Sequence, residues 1–327
     1  MARGNLLRKA VPDWMVAVRY YVESYGRLPN LFWPRTFNEK LLHRMVFDRR
    51  AVLAEITDKL RFRAYAASRV EPSLLPTLYH VTDDPEDIPF ERLPDRFVLK
   101  PNHGSGWIHV VPDKSKLDRG AAIALCRSWL RQNYYELTRE WVYKNIAPKI
   151  MVEEFVDDGS GGIPTDYKFY AFDGLTEVIQ VDIGRFGNHR RGFYTPSWEK
   201  LALHYGRGEI IGAIPRPPHF EAMLQAAKIL GRDFDFVRVD FYDTPRRAYL
   251  GELTATPAAA TNIFGSRDYE RYLGKFWRLP QRGGGWRHRH GAANRGGAPT
   301  SSFALRRQFL AAASLPAGDI AHPGFQS

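Results

Sequence analysis

Apolar positions recur every three or four residues along much of the N-terminal hundred residues, which is the spacing of amphipathic helices. We expect helices over residues 13–25, 38–59 and 60–68. Asp13 is a candidate cap for the first helix, and Gly26 is a typical residue to end it. The aromatic residues of this helix form one stripe, which favours packing in the core over contact with a membrane.

The pattern changes to short apolar and β-branched runs at residues 97–100 and 107–111, which predict two strands. Between them lies a glycine loop, Pro101-Asn-His-Gly-Ser-Gly106. A loop that joins two strands predicts a hairpin, whereas a Walker-type or dinucleotide-binding loop opens a helix. Its backbone N–H groups could cover a triphosphate with Lys100 as a point charge, although plain hairpin turns share this signature.

Further strands are predicted over residues 149–156, 166–172 and 176–182, with Asp173-Gly174 as the turn between the last two. Helical spacing precedes them at residues 119–136 and follows them at residues 219–232. Helices combined with antiparallel hairpins indicate an α+β fold.

One more hairpin is predicted over residues 236–257, with its turn near Pro245 and Arg246. Each of its strands carries one carboxylate, Asp240 and Glu252, and cross-strand neighbours lie about 5 Å apart. Oxygen ligands at that spacing suit Mg²⁺, which binds one or two carboxylates and completes its shell with water and phosphate. The alternative is an ordinary surface hairpin with two solvated acids.

A basic loop follows the strand that ends near Asp182. It contains Arg185, Asn188, His189, Arg190 and Arg191. Such loops are usually solvated, but one beside a metal and phosphate site could neutralise the charge that develops during phosphoryl transfer.

Composition narrows the class of protein. The 327 residues are 44% hydrophobic and 13% aromatic, which is typical of a globular chain. The net charge of +11 is concentrated partly in residues 281–327, a Gly/Ala/Arg-rich segment with six arginines and one aspartate that we expect to be a disordered basic tail. The basic body fits polyanionic ligands such as nucleotides, and equally weak attraction to nucleic acid or anionic lipid.

The single cysteine, Cys126, occupies an apolar position of a predicted helix, and we expect it to be a buried core thiol. The N-terminus lacks the apolar run of a signal peptide, and no apolar stretch is long enough to span a bilayer. We therefore expect a cytoplasmic protein.

Taken in order, these motifs resemble the ATP-grasp superfamily, and in detail its TupA-like branch, which is associated with teichuronopeptide and capsule-type surface polysaccharide biosynthesis. The resemblance covers about residues 35–280. The matching stretches are residues 37–40 (FNEK), 58–59 (DK), 97–106 (FVLKPNHGSG), 153–155 (EEF), 166–169 (DYKF), 180–182 (QVD), 188–189 (NH), 236–240 (FVRVD) and 251–254 (GELT).

The resemblance implies a role for each group of site residues. Lys59 and Lys100 would hold ATP phosphates, under a lid formed by His103, Gly104, Ser105 and Gly106. The hinge strand that reads adenine, with backbone groups and a carboxylate, would be Glu153, Glu154, Phe155 and Val156. Mg²⁺ would bind Asp240 and Glu252, while the residues facing the transferred phosphoryl group or the acceptor would be Lys168, Arg185, Asn188 and Arg191.

The implied protein is an ATP-grasp enzyme whose two sheet-bearing lobes hold MgATP between them. Its expected divisions are a helical N-terminal segment (1–57), an N-terminal lobe with the lid hairpin (58–150), a C-terminal lobe with the metal hairpin (151–280) and the tail (281–327).

Two departures from the family are visible. Thr254 stands where many members have an Asn ligand, and too few residues precede the lid for the usual Rossmann-like domain.

The implied chemistry joins a carboxylate to an amine through an acyl phosphate, during assembly of a surface polysaccharide or peptidopolymer. The expected partners are small-molecule or polymer-precursor carboxylates and amines close to the membrane, and not nucleic acid. Two alternatives stay open. One is a glycosyltransferase-like enzyme that uses a nucleotide sugar, and the other is a nucleotide- or nucleic-acid-binding module.

Overall fold

The computed structural model describes residues 11–159, 162–184, 189–204, 209–210 and 212–280. The described α-helices are α1 (Asp13–Tyr25), α2 (Phe37–Phe47), α3 (Ala51–Thr57), α4 (Lys59–Ala67), α5 (Arg119–Leu130), α6 (Tyr134–Thr138), α7 (Phe220–Gly231) and α8 (Arg267–Phe276). The predicted tail, residues 281–327, lies outside the described residues.

The first helix has the predicted bounds, but its ends differ in kind. Gly26 ends α1 in the left-handed conformation, with φ 63°. Asp13 does not cap it; its carboxylate instead accepts a hydrogen bond from the Tyr135 hydroxyl at 2.7 Å. The expectation of a core stripe is confirmed for Ala17 and Tyr21, which are buried, whereas Trp14 is half exposed.

The single helix expected over residues 38–59 is wrong, because the structure divides it into α2 and α3. A capping box between Thr36 and Glu39 starts α2. The backbone becomes extended at Asp48, whose carboxylate binds the Arg50 guanidinium at 2.6 Å. The apolar spacing continues across this break, so periodicity alone does not reveal it. In the same way, the helix expected over residues 119–136 ends at Leu130, and Asn133 caps a separate α6.

The N-terminal sheet is antiparallel, with the order β1-β4-β2-β3. Its strands are β1 (Leu78–Thr82), β2 (Phe97–Pro101), β3 (His109–Val111) and β4 (Ile150–Glu154). The hairpin of β2 and β3 confirms the predicted strand, glycine loop and strand, although β3 begins at His109 and not at Trp107. Cys126 is buried with this sheet in one apolar cluster, and burial raises the pKa of its thiol to about 11.

The C-terminal sheet has the order β11-β10-β5-β6-β7-β8, with β9 parallel to β7. Its strands are β5 (Asp166–Phe172), β6 (Leu175–Ile183), β7 (Arg190–Tyr194), β8 (Lys200–Leu201), β9 (Glu209–Ile210), β10 (Val237–Asp243) and β11 (Ala248–Thr254). The predicted turn at Asp173 and Gly174 is confirmed, since both residues have positive φ.

Two apolar clusters contain buried side chains of this sheet. Helix α7 and residues of α3 and α4 pack in one cluster, around Phe169 and Val239. Helices α2 and α8 pack in the other, where Phe37 contacts Phe236 edge to face with ring centroids 5.0 Å apart. Helices thus cover the sheet and fix the position of the strands that carry the predicted site. The four-part division of the chain stays a prediction.

No described helix is long and apolar enough to cross a membrane.

Candidate active site

Two adjoining cavities lie beside the glycine loop; residues of both sheets line one of them, and residues of the C-terminal sheet line both. The first, of about 220 Å³, has apolar walls that include Val98, Ile108, Val110, Phe155 and Leu250. The second, of about 490 Å³, has a more polar lining. Lys59, Ser105 and Glu252 line both cavities and therefore mark where they meet. The arrangement provides an apolar slot beside a charged chamber.

The two acids of the last hairpin face each other as predicted. Asp240 of β10 and Glu252 of β11 are directly paired in the strand register. The Arg238 guanidinium lies between them: its Nη2 atom is 2.5 Å from Asp240 Oδ2 and 3.2 Å from Glu252 Oε1. Burial raises the pKa of Asp240, although the Arg238 charge opposes that shift.

These residues fit a magnesium ion. One nitrogen of Arg238 reaches both carboxylates, so the two acids are close enough to hold a single small cation together. The Thr254 hydroxyl lies in the same group and donates to Glu252 Oε1 at 2.7 Å. Within the described part of the chain, no three His, Cys, Asp or Glu side chains cluster to form a complete protein ligand set. Two carboxylates and a hydroxyl suit an ion that takes its remaining ligands from phosphate and water.

The two predicted phosphate-binding lysines line the first cavity. The ammonium group of Lys59 donates to the carbonyl oxygen of Gly104, which ties α4 to the glycine loop. Burial lowers the pKa of Lys59 to about 8, although the negative charge of Glu252 opposes this shift. Lys100 is paired with the Glu153 carboxylate. Both cations therefore lie where an anion entering the cavity would meet them.

The glycine loop contributes backbone and small side chains to the cavities. Ser105 and Gly106 line the first cavity, and Gly104 lines the second. The side chain of His103 does not share this role. It is only 2% exposed, and its Nε2 atom lies 3.1 Å from the carbonyl oxygens of both Trp129 and Gln132. The His103 ring anchors the loop to the end of α5, and the place of His103 in the lid stays a prediction.

The two acids of the predicted hinge have partners within the protein. The Glu153 carboxylate pairs with Lys100 and with Arg63 Nη1, the latter at 3.1 Å. The Glu154 carboxylate accepts from the backbone N–H of Thr77 at 2.9 Å and from the Tyr249 hydroxyl at 2.7 Å. Both carboxylates thus already have protein partners, and recognition of adenine by one of them stays a prediction.

The other two hinge residues, Phe155 and Val156, line the first cavity, which leaves their backbone groups as the candidates for base recognition.

A buried charge network forms the far wall of the second cavity. Lys168 Nζ lies 3.1 Å from Asp166 Oδ2 and 3.2 Å from Asp182 Oδ2. Asp182 also binds Arg191 Nε at 2.6 Å and His189 Nε2 at 3.0 Å. Burial favours the neutral form of Asp182, but Lys168 and Arg191 outweigh it and hold the pKa well below its usual range. Arg185 and Asn188, the other predicted catalytic residues, lie outside the described residues.

Sequence reasoning assigned no role to three residues that the structure brings into the site. Arg238 stands two residues before Asp240, and in a strand this spacing places both side chains on one face. Asp182 lies in a motif that the resemblance includes, yet its pairing with Lys168 depends on register between strands. Glu140 lines the second cavity from a segment with no strand signal, and nothing local indicates it.

Facing antiparallel sheets, a glycine hairpin over one cavity and an acid pair between the strands of another hairpin are the features of an ATP-grasp protein. A comparison with protein-family models supports this class and narrows it. Residues 39–278 match the family described as TupA-like ATPgrasp. The chain therefore belongs to the TupA-like ATP-grasp family.

Solved structures with some similarity are ligases by name. D-alanine–D-alanine ligase from Bacillus anthracis with ATP is 15% identical, with TM-score 0.37, over 62% of this chain and 55% of that one. Phosphoribosylamine–glycine ligase from Thermotoga maritima is 11% identical, with TM-score 0.39, over 65% and 52%.

The ATP-grasp ligase PsnB with a minimal precursor is 16% identical, with TM-score 0.36, over 63% and 54%. The chain thus spans about half the length of these proteins. No curated protein matches it.

Proposed function

We propose that the chain is an ATP-dependent carboxylate–amine ligase that releases ADP and acts in the assembly of a cell-surface polysaccharide or peptidopolymer. The observation that carries the proposal is the position of Asp240 and Glu252 beside the junction of the two cavities. An acid pair there could hold a metal ion beside the triphosphate of ATP. The adenine base would then occupy the apolar slot, and the terminal phosphate would lie in the charged chamber.

Each group of residues has a proposed role. Lys59, Lys100 and the backbone of Gly104 to Gly106 bind phosphate oxygens. Asp240, Glu252 and Thr254 hold Mg²⁺, which reduces the negative charge of the phosphates. Lys168 and Arg191 orient the acceptor carboxylate and balance the charge of the transferred phosphoryl group. Arg185 and Asn188 are proposed for the same task from the family resemblance.

The proposal has two chemical stages. A carboxylate oxygen of the first substrate takes the terminal phosphoryl group of ATP, which gives an acyl phosphate and ADP. An amine then displaces phosphate from the acyl carbon. The network around Asp182 keeps Lys168 and Arg191 ordered before substrate arrives, which is the preorganisation that electrostatic stabilisation needs. Because both stages depend on ATP and Mg²⁺, we propose that the enzyme works in the cytoplasm.

The experiment is a screen of ADP release. The purified chain with MgATP is given carboxylates (acetate, glutamate, glucuronate) paired with amines (ethylamine, lysine, glucosamine), and binding of MgATP is measured separately by calorimetry. We expect MgATP to bind, and ADP and phosphate to appear only when both substrates are present. A preference for a UDP-sugar over ATP would contradict the proposal in favour of a glycosyltransferase. Tight RNA binding that survives neutralisation of Lys100 and Asp240 would contradict it in favour of a nucleic-acid-binding module.

A further inference from the structure

Glu140 is a buried acid in the wall of the second cavity. It follows α6 and precedes a single turn of 3₁₀ helix, Trp141–Tyr143. Only 6% of the residue is exposed, yet it lines the cavity together with Lys168 and Arg191. Buried carboxylates are rare in proteins unless a partner compensates their charge.

The contacts of Glu140 hold the side chain in place without neutralising it. The Thr256 hydroxyl, two residues beyond Thr254, donates to Glu140 Oε2. The backbone N–H of Glu140 donates to the Thr138 hydroxyl at 3.3 Å. Burial raises the pKa of Glu140 to about 7, and hydrogen bonding with the side chains of Thr256 and Thr138 only reduces this shift. Such a carboxyl can gain or lose a proton near neutral pH.

Glu140 differs from the other acids of the same cavity. Asp182 is neutralised by Lys168 and Arg191, and Glu252 is within reach of Arg238. Among the residues that the structure describes, no cation lies within ion-pair distance of Glu140. The cavity therefore contains two cations, Lys168 and Arg191, that suit a carboxylate or phosphate. It also contains one carboxylate, Glu140, to which the described residues supply no cation.

We propose that Glu140 is the subsite for the second substrate's amine, where its carboxylate binds the ammonium group and accepts a proton from it. This inference rests on the proposed ligase function and identifies the incoming nucleophile as a primary amine that is cationic at neutral pH. It assigns different lining residues of one cavity to the two substrates.

The proton balance of the second stage follows. The ammonium group transfers one proton to the Glu140 carboxylate, which frees the nitrogen lone pair. The nitrogen attacks the acyl carbon, and the C–N bond forms as the bond from that carbon to the phosphate oxygen breaks. The nitrogen loses a second proton to the departing phosphate, and the proton on Glu140 is released to solvent. The net products are amide, phosphate and one proton from acyl phosphate and ammonium.

Two nucleophiles test the role of Glu140. Hydroxylamine is uncharged at neutral pH and attacks acyl phosphates without first losing a proton, whereas the active amine of the screen is protonated. We expect Glu140→Gln to lower kcat/KM for that amine by about 100-fold or more, the range of general base catalysis. We expect hydroxamate formation with the same carboxylate to change by less than about threefold.

The matched control is Glu136→Gln, which removes an exposed carboxylate on α6 and should leave both rates unchanged. Gln at position 140 still offers an oxygen to Thr256, so we expect a folded variant. If Glu140→Gln does not fold, Thr256→Val is the second variant. It keeps the Glu140 carboxylate but removes the hydroxyl that donates to it. We expect it to raise the KM for the amine and not the KM for hydroxylamine.

Equal loss with both nucleophiles, or no loss with either, would overturn the assignment while leaving the ligase proposal intact. A wild-type protein that releases no ADP with any substrate pair would instead overturn the ligase proposal, and this inference with it.

Discussion

Arg238 shows how one residue sets the electrostatics of a candidate metal site. Its guanidinium contacts Asp240, Glu252 and the Thr254 hydroxyl within one strand pair. Two carboxylates this close repel each other, and the cation between them compensates that repulsion before any metal ion binds. If Asp240 and Glu252 hold Mg²⁺, as we propose, Arg238 would have to give up some of these hydrogen bonds.

The acid pair leads to a first prediction. Asp240→Asn or Glu252→Gln should reduce kcat at least about 100-fold, because each removes a direct ligand and loss of outer-shell partners alone costs 10- to 100-fold. Arg238 keeps hydrogen-bond acceptors in either variant, so the fold should persist. ADP release and the melting temperature measure the two effects, and wild-type rates in both variants would refute the metal assignment.

Glu140 leads to a second prediction, about stability. Its pKa is about 7 in the folded protein and near 4.5 unfolded, so the folded state favours the protonated form. Below pH 4.5 the acid is neutral in both states and has little effect. As the pH rises from 4.5 to 7, ionisation of the unfolded state lowers the stability of the wild type, by up to roughly 3 kcal/mol above pH 7.

Glu140→Gln should remove this loss. The variant should therefore be more stable than the wild type at pH 8 by up to roughly 3 kcal/mol, with the difference disappearing near pH 4.5. Urea denaturation at both pH values measures it. Destabilisation at pH 8 would indicate that the acid stabilises the fold. Stabilisation, together with loss of amine turnover, is the pattern of a functional group retained at a cost to the fold.

At the scale of elements, the glycine hairpin between β2 and β3 depends on side-chain packing as well as on its turn. A Cβ atom at Gly104 would lie 2.5 Å from Trp107 Cε3, which is too close for any side chain. Trp107 in turn packs edge to face against Tyr134, with ring centroids 5.3 Å apart. Gly104 therefore permits the loop to fold back on its own tryptophan, close to the hydrogen bond from Lys59.

A third prediction follows for Gly104→Ala. The methyl group should push Trp107 aside and displace the loop, which should raise the KM for ATP by ~10-fold to 100-fold, since small misplacements at a site have effects of that size. Gly212→Ala is the control, because a Cβ atom there meets nothing within 4 Å. An unchanged KM in Gly104→Ala would show that the loop does not contact the nucleotide.

The elements also show what local pattern predicts. The strands of both hairpins follow from alternation and turn residues and could be predicted, whereas the exact pairing of Asp240 with Glu252 depends on a register shift between Asp240 and Phe241. The break between α2 and α3 could not be predicted. Helix α2 ends before Asp48. There the Arg50 guanidinium binds the carboxylates of both Asp48 and Asp235, and Asp235 lies 185 positions from Arg50 in the chain. A window of sequence contains no information about such a partner.

At the scale of the whole molecule, the described chain ends on a buried anchor. Trp277 is 1% exposed, its indole N–H donates to Asp235 Oδ2 at 2.5 Å, and the Arg44 guanidinium lies 4.4 Å from its ring centroid. Residues immediately after α8 thus connect the C-terminal segment to α2 and to the start of β10. The boundary of the stabilising part of the chain should lie after this anchor.

The fourth prediction concerns that boundary. Truncation after Pro280 should change the melting temperature by no more than about 2 °C, because a Gly/Ala/Arg-rich segment has little apolar surface to bury. Truncation after Lys275 removes Trp277 and should unfold the protein or lower its melting temperature sharply. Calorimetry of both forms checks this, and a large decrease for the first truncation would show that residues 281–327 belong to the fold.

Local sequence determined the α+β class, the order of the motifs and the two hairpins that carry the glycine loop and the acids, because alternation and turn chemistry act between neighbours in the chain. Tertiary structure alone decided what each side chain meets. Packing between distant segments tied His103 to the end of α5 and paired Glu153 with Lys100 and Arg63. It also buried Glu140 in the cavity wall, since burial and charge depend on segments that meet only in the folded chain.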